Sequence, residues 1–593
     1  MPPTIFPIQL YATGAEVARL EATLDAARGP ARAGALIELA WQLRQRDSAR
    51  AVALIESAEP LLAAEPMTPE AAQVLRGRIS LTLAEVSALY GSFEVAEMRL
   101  TDARARWVRR LDPPAEGDAW LAESIVAKAR GQRDRELASY AAAARSYAAA
   151  FDRPREAVAT AWLAYERVFT SPDTGGSEAP EPDRVGERDA ASLARDALRS
   201  AERGVPLSRR DPAQAADVLL RASEQAQQAG LLRHAVVCTM NAGTALQGLG
   251  DYDLAAGCFE LAATVARKTG WPALIGSSQT RLGGFLKELG RLEDSRTALV
   301  EALASFAVTP GGINKANASS ALANTLLALG QAAESVGPMS DAVRMYREAR
   351  STDNLALCLI GLARALSAAG RPVEALAAID ETCLLIAQHG FTALDVGVNE
   401  ALTEIHRQHP LPSPPGMTAP TAAVHYAEAT LAAGQRIKGW RAPAALFVTL
   451  ADVWAEAGDL SRAYDHARRA LAAKDQEAAL RLNHPLAVLR LRRESELPPG
   501  TASTPWAPSA PAPLEIDGQG GRALAAGILT AKEREVLRLL ARNFSNKEIA
   551  SALDVGDETV KWHLKNIYNK LKAGSRKHAV TRARTLGVLD LSS

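Results

Sequence analysis

The chain has 593 residues with 68 basic and 68 acidic side chains, so its formal net charge is zero. Taken over the whole chain, this net charge argues against a polyanionic partner. At roughly 100 to 200 residues per domain, this length corresponds to several domains or to a repeat array. Apolar residues make up 48% of the chain but aromatic residues only 5%, and the frequent alanines favour packed helices over a β-sandwich.

Cysteine usage and the N-terminal sequence indicate a compartment. No two of the four cysteines stand at a metal-ligand or redox-pair spacing, so a reducing cytoplasm is predicted. The start of the chain lacks a basic region followed by an apolar stretch, and therefore does not read as a signal peptide. The longest apolar stretch, near residues 442–451, is too short for a membrane span, which needs about 20 residues. We expect no membrane partner.

Glycine-marked turns recur along the chain, and each separates two helical segments. Most are 40 residues apart within two runs. They are Gly91, Gly131, Gly250, Gly290, Gly330, Gly370 and Gly458. Glycine can end a helix in the left-handed region at little cost, so each unit is predicted to be a helix, a turn and a second helix.

These units resemble the tetratricopeptide repeat. The turn glycine, the acid after it and alanines five and twelve positions on are present at Gly250, Asp251, Ala255 and Ala262, and again from Gly458. Other units are degenerate, with serine at positions 295 and 335 in place of the first alanine. The 40-residue period exceeds the usual repeat length, and a helical repeat of another type stays an alternative.

The resemblance implies a superhelix with a concave groove. In the clearest unit, the small residue of the first helix is Gly243, and the family pattern directs nearby positions into the groove. Following the adjacent position at a period of 40 gives Thr244, Gly284, Asn324 and Arg364. The polar members, Thr244, Asn324 and Arg364, are the candidate contacts for a peptide, small-molecule or protein effector. Solvated groove residues without a ligand are the alternative.

Proline-rich and glycine-rich stretches divide the chain. No helix is expected to cross 410–420, which holds five prolines, and 497–526 reads as a tether. Helical repeats are predicted from about residue 30. The predicted order is helical repeats at 1–170, a flexible insertion at 171–186, repeats of period 40 at 187–409, a break at 410–420, final repeats at 421–496, the linker at 497–526 and a C-terminal domain at 527–593.

Local signals place four helices in the C-terminal domain. Thr530 with Glu533, and Ser545 with Glu548, form capping boxes that open the first two helices. A third helix is predicted from about Asp557 to Leu571, and a fourth follows the cap Ser575. Two helices joined by a tight turn, the second long and basic, form the helix-turn-helix pattern.

The third helix has two distinct faces. Val560, Leu564, Ile567 and Leu571 recur at spacings of 4, 3 and 4, which predicts one buried face. The opposite face carries Glu558, Lys561, Trp562, Lys565 and Asn569. Lysine can donate to guanine acceptors and asparagine can bind adenine edges, so this face suits a major groove.

The segments LTAKEREVLRLLA, SNKEIASAL, TVKWHLKNIYNKL and SRKHAVTRARTLGVL closely resemble the LuxR-type DNA-binding domain, in particular that of the large maltose-regulator-type members. The resemblance implies binding to double-stranded DNA as a homodimer, with RNA polymerase as a further candidate partner. Lys561, Trp562, Lys565 and Asn569 are the predicted base-reading residues. The predicted phosphate contacts are Ser545, Asn546, Lys547, Thr559, Arg576 and Lys577.

The sequence departs from this family in three places. Asn543 replaces a glycine after the first helix, Gly556 replaces a serine N-cap of the third, and Lys572 replaces a glycine after the third. The last change affects the angle of the final helix, which mediates dimer contacts in this family. Large members of the family carry an ATPase domain, but the chain has no Gly-Lys pair and therefore no Walker A loop.

Other kinds of site are poorly supported by the sequence. His406 and His409 lie three residues apart but have no evident third metal ligand. No catalytic motif is apparent, so no enzyme activity, catalytic residue, metal or cofactor is predicted. The leading interpretation is an all-α, cytoplasmic, DNA-binding transcriptional regulator with a sensory repeat array. The alternative is a repeat scaffold for protein partners in which the helix-turn-helix is an accessory contact.

Overall fold

A computed structural model of the chain describes most residues of the array and a subset of the C-terminal domain. The described residues are 8–64, 67–106, 113–169, 189–308, 312–414, 416–437, 439–482, 531–541, 544, 546–553, 556, 560, 561, 563, 564, 567 and 579. They form helices and turns, and none of them lies in a β-strand. The chain divides into two compact units, Met1–Thr501 and Ala502–Ser593.

The first unit is a succession of helices that pack against their neighbours in the chain. Its first part contains α1 (Gly14–Ala26), α2 (Gly29–Leu43), α3 (Ser48–Ala64), α4 (Pro69–Leu89), α5 (Phe93–Arg106), α6 (Pro113–Ala129), α7 (Arg133–Ala149) and α8 (Arg153–Arg167). The first described helix begins at Gly14, where Thr13 and Glu16 form a capping box that opens α1.

The central part of the array follows residue 189. It contains α9 (Ala190–Arg210), α10 (Pro212–Ala229), α11 (Leu232–Gly248), α12 (Tyr252–Thr269), α13 (Pro272–Glu288), α14 (Leu292–Ser305), α15 (Ile313–Ala328), α16 (Ala332–Glu348), α17 (Thr352–Ala368), α18 (Pro372–His389) and α19 (Asp395–Gln408). Short 3-10 segments lie at Phe306–Val308 and Thr392–Leu394. The array ends with α20 (Ala422–Gln435), α21 (Ala444–Glu456) and α22 (Leu460–Leu482).

Of the predicted interruptions of the array, one lies mostly within the described residues and two lie outside them. Helix α19 ends at Gln408 and α20 begins at Ala422, and the described residues between them are not helical. The predicted insertion at 171–186 and the predicted linker at 497–526 lie outside the described residues. Within the described part of the chain, no helix is both long and apolar enough to cross a membrane.

The turn glycines adopt the conformation that the sequence predicted. All seven have a positive φ, between 72° and 86°. An L-residue in that region is destabilised by about 1 to 2 kcal/mol, whereas glycine is not. In the clearest unit, the N–H of Asp251 then donates to Leu246 O at 3.1 Å, and the Asp251 side chain caps α12. The conformation of the turns therefore follows from local backbone chemistry.

Small residues let the two helices of a unit approach closely. A Cβ added to Gly243 in α11 would lie 3.1 Å from the Cβ of Cys258, and one added to Gly283 in α13 would lie 2.6 Å from Leu299. The positions one and two periods later are Ala323 and Ala363, both fully buried. The sequence periodicity of small residues thus records a steric requirement in the core.

The strain at the turn can be tested with a pair of substitutions two residues apart. Gly250→Ala should lower the stability of the α11–α12 pair by about 1 to 2 kcal/mol, because φ there is 77°. Gly248→Ala should raise it by about 0.5 to 1 kcal/mol, because Gly248 is helical and an added Cβ meets nothing within 4 Å. Amide hydrogen exchange of α11 and α12 measures both changes. Shifts of the same sign would contradict this explanation.

The array coils back so that helical repeats distant in the sequence touch. The indole N–H of Trp271 donates to Ser48 Oγ at 3.1 Å, and the hydroxyl of Tyr90 donates to Thr269 O at 3.2 Å. Arg46 likewise donates to Gln228 O at 3.0 Å. Turns that are about 180 to 220 residues apart in the sequence therefore lie side by side within the first unit.

Candidate nucleic-acid interface

Three helical segments and the helical residue Ala579 contribute to the core of the second unit. Two are α23 (Ala531–Ala541) and α24 (Asn546–Leu553), and the third contains helical residues between 560 and 567. The buried core residues are Val536, Leu537, Leu540, Ile549, Ala550, Val560, Leu564, Ile567 and Ala579. Burial of this apolar surface holds the segments together, as expected for a small helical domain.

The third segment has the predicted buried face. The N–H of Val560 donates to Gly556 O, four residues earlier, at 3.2 Å. Val560, Leu564 and Ile567 are all buried, so the predicted apolar face is confirmed for these three positions. Leu571, its fourth predicted member, lies outside the described residues. His563 is half-buried, between the two faces.

Lys561 is exposed immediately after the buried Val560. One residue corresponds to about 100° of rotation around a helix, so Lys561 points away from the core. Trp562, Lys565 and Asn569, the other predicted base-reading residues, lie outside the described residues, so their contacts stay predictions.

Two of the predicted phosphate contacts lie at the start of α24. Asn546 is the first residue of this helix and is half-buried, and Lys547 follows it. A helix N-terminus favours anions because its first backbone N–H groups have no partner within the helix. Ser545, Thr559, Arg576 and Lys577 lie outside the described residues, and their role stays a prediction.

The candidate effector positions occupy equivalent places in the array. Thr244, Asn324 and Arg364 lie on α11, α15 and α17, and each is half-buried. The hydroxyl of Thr244 donates to Met240 O at 3.1 Å. Arg364 is paired with Glu400 at 3.2 Å and with Glu404 at 3.3 Å. Arg364 is therefore engaged by two carboxylates of α19, and an anionic effector would have to compete with them.

The two histidines near the end of α19 have separate surroundings. The ring of His406 stacks on Tyr426 with centroids 5.2 Å apart. His409 Nε2 lies 2.9 Å from Ser367 O. The described residues contain no group of three or more histidine, cysteine or carboxylate side chains suited to a metal ion.

The sequence patterns missed a cluster of charged side chains inside the N-terminal helices. This buried ion network consists of Arg44, Arg78, Glu85, Asp118 and Arg155, whose side chains are all less than 7% exposed. Arg44 pairs with Glu85 at 2.8 Å, and Arg78 with Asp118 at 2.5 Å. A spacing of 40 or 41 residues separates the partners of each pair, close to the repeat period. Charges recurring at that period within apolar helices were the available signal.

Comparison with known proteins identifies the second unit. The sequence profile of the bacterial regulatory proteins of the luxR family matches residues 527–583. The HTH-type transcriptional regulator AlkS of Alcanivorax borkumensis is 43% identical over 61 residues, which cover 10% of this chain and 7% of that protein. The transcriptional regulatory protein YdfI of Bacillus subtilis is 46% identical over 65 residues, covering 11% of this chain and 30% of its own. The chain thus matches less than a third of each relative.

The array has structural neighbours of low similarity. The Rap conjugation gene regulator of the plasmid pLS20, solved in complex with the Phr* peptide, covers 70% of this chain and 96% of its own. Its sequence identity is 13% and its TM-score is 0.36. A similarity of this size says nothing about the ligand of the array. The chain therefore carries a helix-turn-helix domain of the LuxR family of bacterial regulatory proteins at residues 527–583, after an array of tetratricopeptide-like helical pairs.

Proposed function

We propose that this chain is a transcriptional regulator that binds specific sequences of double-stranded DNA through its C-terminal domain and receives a signal through its helical array. The supporting observation is the LuxR-family match over residues 527–583, in which Val560, Leu564 and Ile567 are buried while Lys561 is exposed. On this proposal Lys561, Trp562, Lys565 and Asn569 read base edges.

The charge distribution supports a DNA-facing C-terminus. Residues 527–593 contain 13 lysines and arginines and 7 aspartates and glutamates, so their net charge is +6 and that of the remaining residues is −6. A basic module gains affinity by releasing counterions from the phosphates. The acidic array repels DNA, so the zero net charge of the whole chain conceals two parts of opposite preference.

The array acts as the receiver of a peptide, small-molecule or protein signal and controls access to the DNA-binding domain. The regulator binds as a homodimer on a two-fold site, with RNA polymerase as a further partner, and acts in the cytoplasm. These finer statements follow from the family resemblance and from the separation of basic and acidic parts. The competing proposal, a protein scaffold, predicts stable protein partners and no enrichment of particular DNA sites.

The test is a gel shift of the full-length protein on DNA upstream of its own operon, beside chromatin immunoprecipitation with sequencing. We expect a sequence-specific shift whose affinity falls as salt rises, and a limited set of enriched genomic sites. The isolated segment 520–593, once shown to be folded by circular dichroism, should bind more tightly than the full chain if the acidic array covers it. Protein partners without any genomic enrichment would instead support the scaffold proposal.

A further inference from the structure

The N-terminal segment, residues 8–12, lies against the array and bends at Leu10. It precedes the first helix and is not helical itself. Gln9 is exposed, whereas Leu10, Tyr11 and Ala12 are only 3%, 7% and 3% exposed and are therefore enclosed by the array. Such burial of an irregular segment is unusual, because its backbone polar groups must find partners.

Side chains of the array bind the main chain of this segment. The indole N–H of Trp41 and the amide of Gln42 donate to Gln9 O at 3.0 and 2.7 Å. Arg44 donates to Leu10 O at 3.2 Å. At the two ends of the segment, Arg46 donates to Ala12 O and Arg155 donates to Ile8 O.

The donors come from separate parts of the array. Trp41 and Gln42 belong to α2, Arg44 and Arg46 to the turn after it, and Arg155 to the start of α8. Four of the five carbonyls in the segment are therefore bound by side chains that converge on it. Donors aimed at carbonyl oxygens recognise a peptide through its backbone, whatever its side chains, as in other modes of peptide recognition.

The buried ion network fixes two of these donors, Arg44 and Arg155, in place. Arg44 is held by Glu85, and Arg155 lies 3.7 Å from Asp118. The guanidinium of Arg44 also lies 3.5 Å from the centroid of the Trp41 ring. Donors with restricted freedom lose little entropy when a ligand arrives, which favours binding. A buried guanidinium must satisfy its N–H groups, and the carbonyls of the segment supply part of that need.

The side chain of Tyr11 occupies a buried pocket. Its ring lies 5.4 Å from the guanidinium carbon of Arg44. Burial raises the pKa of Tyr11 to about 12, so its hydroxyl stays neutral at physiological pH. The backbone contacts and this pocket together have the features of a peptide site with one aromatic anchor.

We propose that the groove between α2 and α8 is a binding site for a non-helical peptide, and that residues 8–12 of this chain are its resident, displaceable ligand. A signalling peptide would bind by presenting four main-chain carbonyls and a tyrosine at the place of Tyr11. The regulatory effect of this binding rests on the sensory role proposed above for the array, whereas the binding itself does not. The alternative is a permanent structural strap that no peptide replaces.

The resident segment has a strong advantage over a free peptide. It is joined to α1 at Thr13 and Gly14, so its effective concentration at the groove is on the order of millimolar. A peptide in solution at micromolar concentration should therefore bind the intact chain poorly. Removing the resident segment should expose the site.

The experiment uses fluorescence anisotropy with a labelled synthetic peptide of residues 4–12, TIFPIQLYA. A variant that lacks residues 1–12 but retains Thr13, the cap of α1, should bind this peptide saturably. The parent chain should bind it about tenfold or more weakly, because its own segment competes. The control is the same peptide with alanine at the place of Tyr11. It should bind the truncated variant more weakly than the unsubstituted peptide does.

A second variant covers the case in which truncation unfolds the array. Full-length Tyr11→Ala retains the backbone of the segment but empties its pocket, so the labelled peptide should bind it more tightly than the parent chain. Absence of binding to a folded variant, or equal binding to variants and parent, would overturn the proposal. No DNA is present in this assay. Its failure therefore leaves the DNA-binding proposal intact, and loss of DNA binding would leave the peptide site intact.

Discussion

Replacing Asp118 with asparagine should destabilise the N-terminal helices by about 3 to 5 kcal/mol, because it leaves buried guanidinium groups without their counter-charge. The side chain of Asp118 is fully buried. It accepts from Arg78 at 2.5 Å and from the hydroxyl of Tyr147 at 2.6 Å, and Arg155 lies 3.7 Å away. An amide of the same shape keeps the packing, so the loss measures the missing charge.

The same carboxylate makes stability depend on acid pH. Burial alone would raise the pKa of Asp118, but the charges of Arg155 and Arg78 and the hydrogen bond from Tyr147 outweigh it and lower this pKa. Since the pKa is lower in the folded state, the stabilisation is fully present above about pH 4, the ordinary value, and is lost as pH falls through the folded pKa. The gap in stability between parent and Asp118→Asn should therefore narrow below about pH 4.

Hydrogen exchange of α4, α6 and α7, together with thermal unfolding, measures this effect. Asp102→Asn is the matched control, since Asp102 is 34% exposed, pairs with Arg106 at 2.7 Å on the same helix and accepts from the Ser80 hydroxyl, a bond that an amide oxygen can also accept. A partly exposed ion pair of this kind contributes about 0 to 1 kcal/mol. Equal effects of the two substitutions would show that burial does not set the strength of the Asp118 contacts.

The double substitution Lys561→Ala with Lys565→Ala should abolish most specific DNA binding by the full-length chain. Each lost base contact should weaken binding by about 1 to 3 kcal/mol and relax specificity at the bases concerned. Lys561 is exposed beside the buried Val560, so its removal should leave the core of the domain unchanged. Gel-shift titrations on the operator and on unrelated DNA separate lost specificity from a general loss of affinity.

The control for this prediction removes two positive charges from the helical array instead of the C-terminal domain. Lys268 and Lys474 are exposed on the array, and replacing both with alanine changes the net charge equally. That control should leave operator binding unchanged within about 0.5 kcal/mol, as is usual for surface substitutions. If the Lys561 and Lys565 variant binds as the parent does, the assignment of the groove-facing surface is wrong.

The sequence alone predicted the features that depend on neighbouring residues or on a regular period. The glycines at the turns predicted a left-handed backbone because only glycine adopts it cheaply, and the structure confirms it at all seven. Val560, Leu564 and Ile567 predicted a buried face because their spacing matches a helical turn, and all three are buried. The all-α fold was predictable from the same helical periods, and the LuxR-type domain from short segments of neighbouring residues.

Only the tertiary structure decided which distant parts meet. Arg155 binds Ile8 O across 147 residues, and Trp271 binds Ser48 across 223. Such pairs depend on the path of the whole superhelix, in which small rotations between successive units accumulate. The sequence therefore predicted effector contacts at Thr244, Asn324 and Arg364. The buried N-terminal segment instead lies against α2 and α8. No local pattern marks that groove, because the residues that build it are neighbours only after the array has coiled.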